Sequence, residues 1–225
     1  MLPQPFKNVN IIERFPSKKN AVYLAEREGK RVVLKLYEND RCRNERETLE
    51  LSRRAGIYVP EVLEAADNAL LLEFIPGRLV NDYLETGRME EMVLGVSSWL
   101  AGFHRAFYLD GKVRIKSDAI FKNFIAADRV YGIDFELSRP GIPEEDIGEA
   151  LAHLLDTFPM FTEKKFSMCC SFIARYEKES GIQLSHIEKY IAGSLREAAD
   201  FRPSQKELLL QKADEIEASQ SFIIE

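Results

Sequence analysis

The chain has 225 residues, 45% hydrophobic and 30% charged, enough for one large domain or two small lobes; this balance excludes a disordered, collagen-like or disulfide-scaffold protein. With 31 Lys and Arg against 37 Asp and Glu the net charge is -6, so the chain as a whole repels polyanions and gives no strong nucleic-acid signal. Apolar runs such as Ala69-Leu70-Leu71-Leu72 fall far short of the ~20 residues a membrane helix needs. The opening Met1-Leu2-Pro3-Gln4-Pro5 lacks the basic-then-apolar pattern of a secretion signal, and Cys42, Cys169 and Cys170 read as reduced thiols, so a cytoplasmic protein is expected.

Taken in chain order, residues 10–13, 21–25 and 31–37 are candidate strands, separated by the turn-rich segments 16–20 and 26–30. Gly29 can supply the positive φ of the second turn. Residues 43–55 read as a charged helix stopped by Gly56, and 62–63 with 70–75 as a further strand pair broken by Pro76-Gly77. Beyond Gly77 the pattern changes to long amphipathic helices. The first, 90–107, carries Met92, Val96, Trp99, Leu100 and Phe103 at helical spacing, and the later ones are 144–156, 164–179, 184–199 and 205–218. Between them, 113–138 reads as short strand-like pieces and polar loops.

The residues that carry chemistry lie in that polar stretch. Asp118 and Asn123 form Asp-x-x-x-x-Asn, a spacing in which the Asp takes a hydroxyl proton and the Asn ligates magnesium during phosphoryl transfer. Asp134, at the end of the apolar run 131–133, offers a second oxygen ligand for the same metal. Upstream, Lys35 stands in the apolar strand Val32-Val33-Leu34-Lys35-Leu36, where a buried ammonium needs an anionic partner; Glu45 and Glu47 follow on the next helix. The plainer readings are an edge-strand Lys and turn-capping Asp and Asn residues. The order Lys, helix Glu, Asp, Asn, Asp is far more specific than any member. His104, on the apolar face of the Trp99-Leu100-Phe103 helix, is expected to be a hydrogen-bonded core residue.

In this combination the chain resembles the protein kinase-like superfamily, in particular its compact branches: aminoglycoside phosphotransferases, RIO-type kinases and the small kinase of the tRNA-modifying KEOPS complex. The resemblance rests on Val33-Leu34-Lys35, on the Glu45 helix running into Ala55-Gly56 and Val59-Pro60, and on the connector Leu71 to Gly77. Leu100-Ala101-Gly102-Phe103-His104, Asp118 to Asn123 and Ile133-Asp134-Phe135-Glu136 complete it. It implies an α+β, two-lobed kinase-like fold, with an antiparallel-sheet N-lobe carrying one helix over residues 1–75 and a mainly helical, reduced C-lobe over 76–225. ATP and magnesium would lie between the lobes. The resemblance implies adenine contacts through the carbonyl of Glu73 and the amide of Ile75, and Lys35 on the phosphates, paired with Glu45 or Glu47. Asn123 and Asp134 would sit on the metal, Asp118 would be the catalytic group, and Asp146 would brace its loop.

The chain departs from the family in three places. The usual His ahead of the catalytic Asp is replaced in Ile115-Lys116-Ser117, so other contacts must hold that loop. Asp-Phe-Gly reads Asp134-Phe135-Glu136, which argues against a flipping activation segment. No glycine precedes Gly29, so the phosphate-covering turn is 16–20, with Ser17, Lys18 and Lys19 as phosphate contacts. The expected activity is ATP- and magnesium-dependent transfer of the γ-phosphate to a hydroxyl of a small molecule or a protein. The alternatives are a pseudokinase or nucleotide-binding scaffold, and a subunit of a larger assembly.

Overall fold

The structure is a computed structural model and describes residues 6, 8–17 and 19–219. Five antiparallel strands come first: β1 (Asn10–Phe15), β2 (Ala21–Arg27), β3 (Lys30–Leu36), β4 (Val62–Ala66) and β5 (Ala69–Glu73), ordered β1-β2-β3-β5-β4. The β2–β3 hairpin turns on Glu28 (φ 54°) and Gly29 (φ 75°), the paired left-handed residues that match the twist of antiparallel strands. Helix α1 (Cys42–Arg54) crosses between β3 and β4.

Alternation along β3 and β5 divides the sheet's two faces. Val32, Leu34, Ala69 and Leu71 join Phe6, Val9 and Ala25 in a small outer core, while Leu70 and Leu72 join Cys42, Leu49 and Val59 in the large core that continues into the rest of the molecule. Lys35 pairs with Val22 on one side and Leu70 on the other, so it sits at the centre of the sheet. An edge-strand position is thereby excluded. β5 ends at Glu73, two residues before the expected end, where Phe74 to Gly77 leave the sheet as the connector.

The remainder is mainly helical: α2 (Met89–Ala106), α3 (Pro143–Asp156), α4 (Glu163–Ser180), α5 (Ile187–Phe201) and α6 (Lys206–Ala218). Trp99 on α2 lies against Gly132 so closely that a Cβ at position 132 would fall 2.4 Å from the indole. α5 starts three residues after the expected boundary at 184. The amides of Leu184 and Ser185 are taken by the carboxylates of Glu177 and Glu144 at 2.9 and 2.8 Å, and His186 is left-handed at φ 57°, so the helix begins only beyond it.

Residues 78–141 supply short strands: β6 (Arg78–Leu79), β7 (Val113–Ile115), β8 (Phe124–Ala126), β9 (Val130–Gly132) and β10 (Arg139–Gly141). They form two small sheets, β6-β8-β9 and β10-β7. Asp118 lies between β7 and β8, and Asp134 between β9 and β10, so both loops leave short sheets anchored on the helical core. Among the described residues no helix is long and apolar enough to cross a membrane.

Candidate active site

Lys35 is the hub. Its Nζ lies 2.6 Å from Glu45 Oε2 and 2.7 Å from Asp134 Oδ1, and 5.0 Å from the centre of the Tyr37 ring. Glu45 is 1% exposed and also accepts the Tyr37 hydroxyl at 2.8 Å. Burial alone would favour a neutral amine, but the two carboxylates outweigh it and raise the Lys35 pKa above its ordinary value. Glu47 is on the outer face of α1, paired with Arg43 at 2.7 Å, so Glu45 is the partner of Lys35.

Asp134 holds a left-handed backbone (φ 62°) just past β9, and its side chain remains 37% exposed. Burial pushes its carboxyl up, but the ammoniums of Lys35 and Lys116 outweigh that effect and hold it below the usual carboxylate range. Asp118 moves the other way: burial first, then the nearby Asp134 charge, raise its pKa against the pull of Lys116. Asn123 ends the 3-10 turn Phe121–Asn123 and donates its Nδ2 to the Asp118 carbonyl at 3.0 Å, which leaves its side-chain oxygen as the end able to meet a cation. The main chain of Asn123 also accepts from Ile133 N at 3.0 Å, tying the Asp118 and Asp134 loops together.

Asp146 is fully buried on α3 and accepts the Lys116 amide at 2.6 Å, the Ser117 amide at 2.8 Å and His104 Nε2 at 3.0 Å. His104 meets the Tyr176 hydroxyl at 2.8 Å through its other nitrogen, the core position expected of it. Glu149, one turn further on, accepts the Ala119 amide at 2.7 Å; burial, with the charges of Asp118 and Asp146, pushes its carboxyl up to about 7. Glu73 closes β5, with its carboxylate on Arg53 at 3.0 Å, and Ile75 is 5% exposed.

Three contributors carried no readable signal. Lys116 is fully buried and donates to the carbonyls of Asp118 (2.8 Å) and Asp134 (3.0 Å). Asn20, at the end of the turn 16–20, donates to Glu136 Oε2 at 2.5 Å across 116 positions of chain. Asn44 of α1 donates to the carbonyls of Glu136 and Ser138 at 3.0 and 2.8 Å. Ser17 and Lys19 of that turn are exposed, and Lys18 lies outside the described residues. The charge of Lys19 opposes the effect of burial at both Asp118 and Asp134.

This donor set suits a hard cation with phosphate oxygens. It is all oxygen, and Glu45, Asp134 and Glu136 each bring a carboxylate oxygen within 4.8 Å of the others. Beside Glu136, Asn20 Oδ1 is buried without a hydrogen-bond partner among the described residues, an acceptor that a cation or a hydroxyl could satisfy.

Solved structures share this architecture. A choline kinase from Cryptosporidium parvum superposes with a TM-score of 0.68 at 12% identity, covering 93% of this chain and 90% of its own. A spectinomycin phosphotransferase in complex with ADP and spectinomycin does so with a TM-score of 0.63 at 10% identity, covering 96% and 93%. The chain has the protein kinase-like fold. No family model matches the sequence. A probable bifunctional tRNA threonylcarbamoyladenosine biosynthesis protein of Methanocorpusculum labreanum is 30% identical over 152 residues, which is 65% of this chain. The chain thus spans about a quarter of that relative's length, the match covering 27% of it. In the kinase-like frame, Lys35 and Glu45 belong to the sheet-and-helix side of the cleft, and Asp118, Asn123 and Asp134 to the helical side.

Proposed function

We propose that the protein is a phosphotransferase that moves the γ-phosphate of ATP, with magnesium, to a hydroxyl group. The observation that carries this reading is the Lys35 ammonium held between Glu45 and Asp134, groups supplied by β3, α1 and the loop after β9. Residues 1–75 form the nucleotide-binding lobe in this reading, and residues 76–225 the lobe that carries the catalytic and metal-binding loops. When bound, ATP supplies the phosphoryl group and magnesium neutralises charge on its oxygens.

The chain's own groups then have defined tasks. Lys35, fixed by Glu45, binds the α- and β-phosphate oxygens; the backbone at Glu73 and Ile75 reads adenine; Asn123 and Asp134 hold the metal. Asp118 orients the acceptor hydroxyl and receives its proton. Its raised pKa suits a base, because a more basic carboxylate is the better proton acceptor. Beside the Asp118 loop, a cavity of about 430 Å³ lined by Ser117, Ile142, Glu149, Tyr190 and Ser194 offers room for a small-molecule acceptor.

The test is magnesium-dependent ATP consumption alongside nucleotide binding. Asp118→Asn is expected to lower turnover by about 10²- to 10⁴-fold, the worth of a positioned base, with nucleotide affinity nearly unchanged. Asp134→Asn is expected to weaken metal-dependent binding itself. Equal loss of binding in both variants contradicts the assigned roles, and nucleotide binding without turnover in the wild type indicates a pseudokinase. A second reading is favoured by the partial match to a bifunctional tRNA-modification protein: the chain is one module of a larger assembly, and its turnover rises when that assembly is reconstituted.

A further inference from the structure

Lys116 stands where the resemblance leads one to expect a histidine, and its surroundings are unusual for a lysine. The side chain is fully buried, and although its charge is felt at Asp118, Asp134 and Glu149, no direct ion pair joins it to a carboxylate among the described residues. Its Nζ meets two main-chain carbonyls, of Asp118 at 2.8 Å and Asp134 at 3.0 Å, while the rings of Phe124 and Phe135 cover it at 5.7 and 5.2 Å. Burying an ammonium against carbonyl dipoles and aromatic faces is costly, and a methionine would fill the same space without that cost. A packing role therefore does not explain the residue.

The two carbonyls explain it better. One belongs to the proposed base, the other to the proposed metal ligand, and both loops contain a left-handed non-glycine residue: Ser117 at φ 60° and Asp134 at φ 62°. Such backbones persist only where neighbouring contacts over-determine them. Asp146 fixes the outer side of the first loop through the Lys116 and Ser117 amides, and Asn123 joins the loops through its Nδ2 on the Asp118 carbonyl and its own carbonyl on the Ile133 amide. Among the described residues the ammonium alone touches both the Asp118 and the Asp134 carbonyls.

We propose that Lys116 is a positioning residue, a crosspiece whose ammonium sets the distance between the Asp118 loop and the Asp134 loop. The proposal rests on the phosphotransfer reading above for its kinetic consequence, though not for its structural one. A base and a metal ligand displaced by about 1 Å relative to each other cost about 10²-fold in rate. The crosspiece therefore shows in kcat more than in nucleotide affinity.

Lys116→Met keeps the length of the stem and removes the donors, and Lys116→Gln restores two N–H donors without the charge. In the folded proteins, Lys116→Met is expected to lower kcat by about 10²-fold with the KM for ATP changed less than about threefold, and Lys116→Gln to recover about tenfold of that loss. Native-state hydrogen exchange gives a readout independent of activity. The amides of Ser117, Ala119 and Ile133 are expected to exchange at least about tenfold faster in Lys116→Met, with amides of α5 unchanged.

Wild-type kcat in folded Lys116→Met, no gain in Lys116→Gln over Lys116→Met, or uniformly faster exchange would each overturn the proposal. Failure of both variants to fold would overturn it too, since it would assign Lys116 to stability. If the wild type consumes no ATP, the phosphotransfer reading fails, and the exchange pattern alone decides whether the crosspiece exists.

Discussion

Glu149→Gln tests the electrostatics beneath the Asp118 loop. Burial, with Asp118 and Asp146 nearby, pushes the Glu149 carboxyl up to about 7 from an ordinary 4.5, against the pull of the Ala119 amide and Lys116. The folded chain therefore holds this proton more tightly than the unfolded chain. The stability it represents is complete below pH 4.5, declines as the unfolded chain releases the proton, and is lost by about pH 7. A carboxyl moved from 4.5 to about 7 is worth about 3 kcal/mol, at about 1.4 kcal/mol per pH unit. Glutamine keeps an oxygen for the Ala119 amide, now 2.7 Å away, and cannot ionise. The variant is thus expected to match the wild type near pH 4.5 and to exceed it by about 2–3 kcal/mol at pH 8, with half of the gain reached near pH 6. Urea unfolding at closely spaced pH values, with m monitored, measures this directly. A difference between the two proteins that stays flat from pH 5 to 8, or that favours the wild type at pH 8, refutes the reasoning.

Two further outcomes follow from packing around the hub. Glu45→Gln leaves Lys35 with only Asp134 as a charged partner and is expected to cost about 3 kcal/mol in denaturant unfolding, the low end for breaking a buried pair, whereas Glu47→Gln on the exposed face stays within about 0.5 kcal/mol; equal costs would show that the pair on Lys35 is not the stabilising one. Gly132→Ala drives a methyl against Trp99, the one tryptophan of the chain, and is expected to lower stability by about 1–3 kcal/mol with a shift in tryptophan emission; unchanged emission and stability would mean that the indole moves aside freely.

How much of this was legible depended on the range of the signal. The helices announce themselves because burying one face imposes a 3.6-residue repeat, as with Met92, Val96, Trp99 and Phe103. The boundary of α5 moved because Glu177, seven positions back, and Glu144, 41 positions back, capture the amides of Leu184 and Ser185. That Lys35 would find a carboxylate partner could be expected from its place in an apolar strand, and the structure brings it onto Glu45 and Asp134. Lys116 gives no such signal. Continuing the β7 alternation of Val113 and Ile115 points it away from the core, whereas its side chain is fully buried on the carbonyls of Asp118 and Asp134, the latter 18 positions along the chain. Asn20 and Glu136, 116 positions apart, share no pattern at all and meet only once the sheet has folded over the cleft.

The same contacts bear on how the site is kept assembled. Only four residues, 135–138, separate Asp134 from β10, so the chain has no length there to swing away. α1 is fastened to that short segment: Asn44 donates to the carbonyls of Glu136 and Ser138, and the Arg114 guanidinium joins Asn44 and Thr48 of α1 to the Ser138 hydroxyl. Because Glu45 rides on α1, its ion pair with Lys35 is set by the same hydrogen bonds that fix the backbone after Asp134. Moving the helix would break Asn44 and Arg114 together, while moving the loop would strip Lys116 of a carbonyl and Lys35 of a carboxylate. Assembly of the cleft is therefore a property of the folded chain itself.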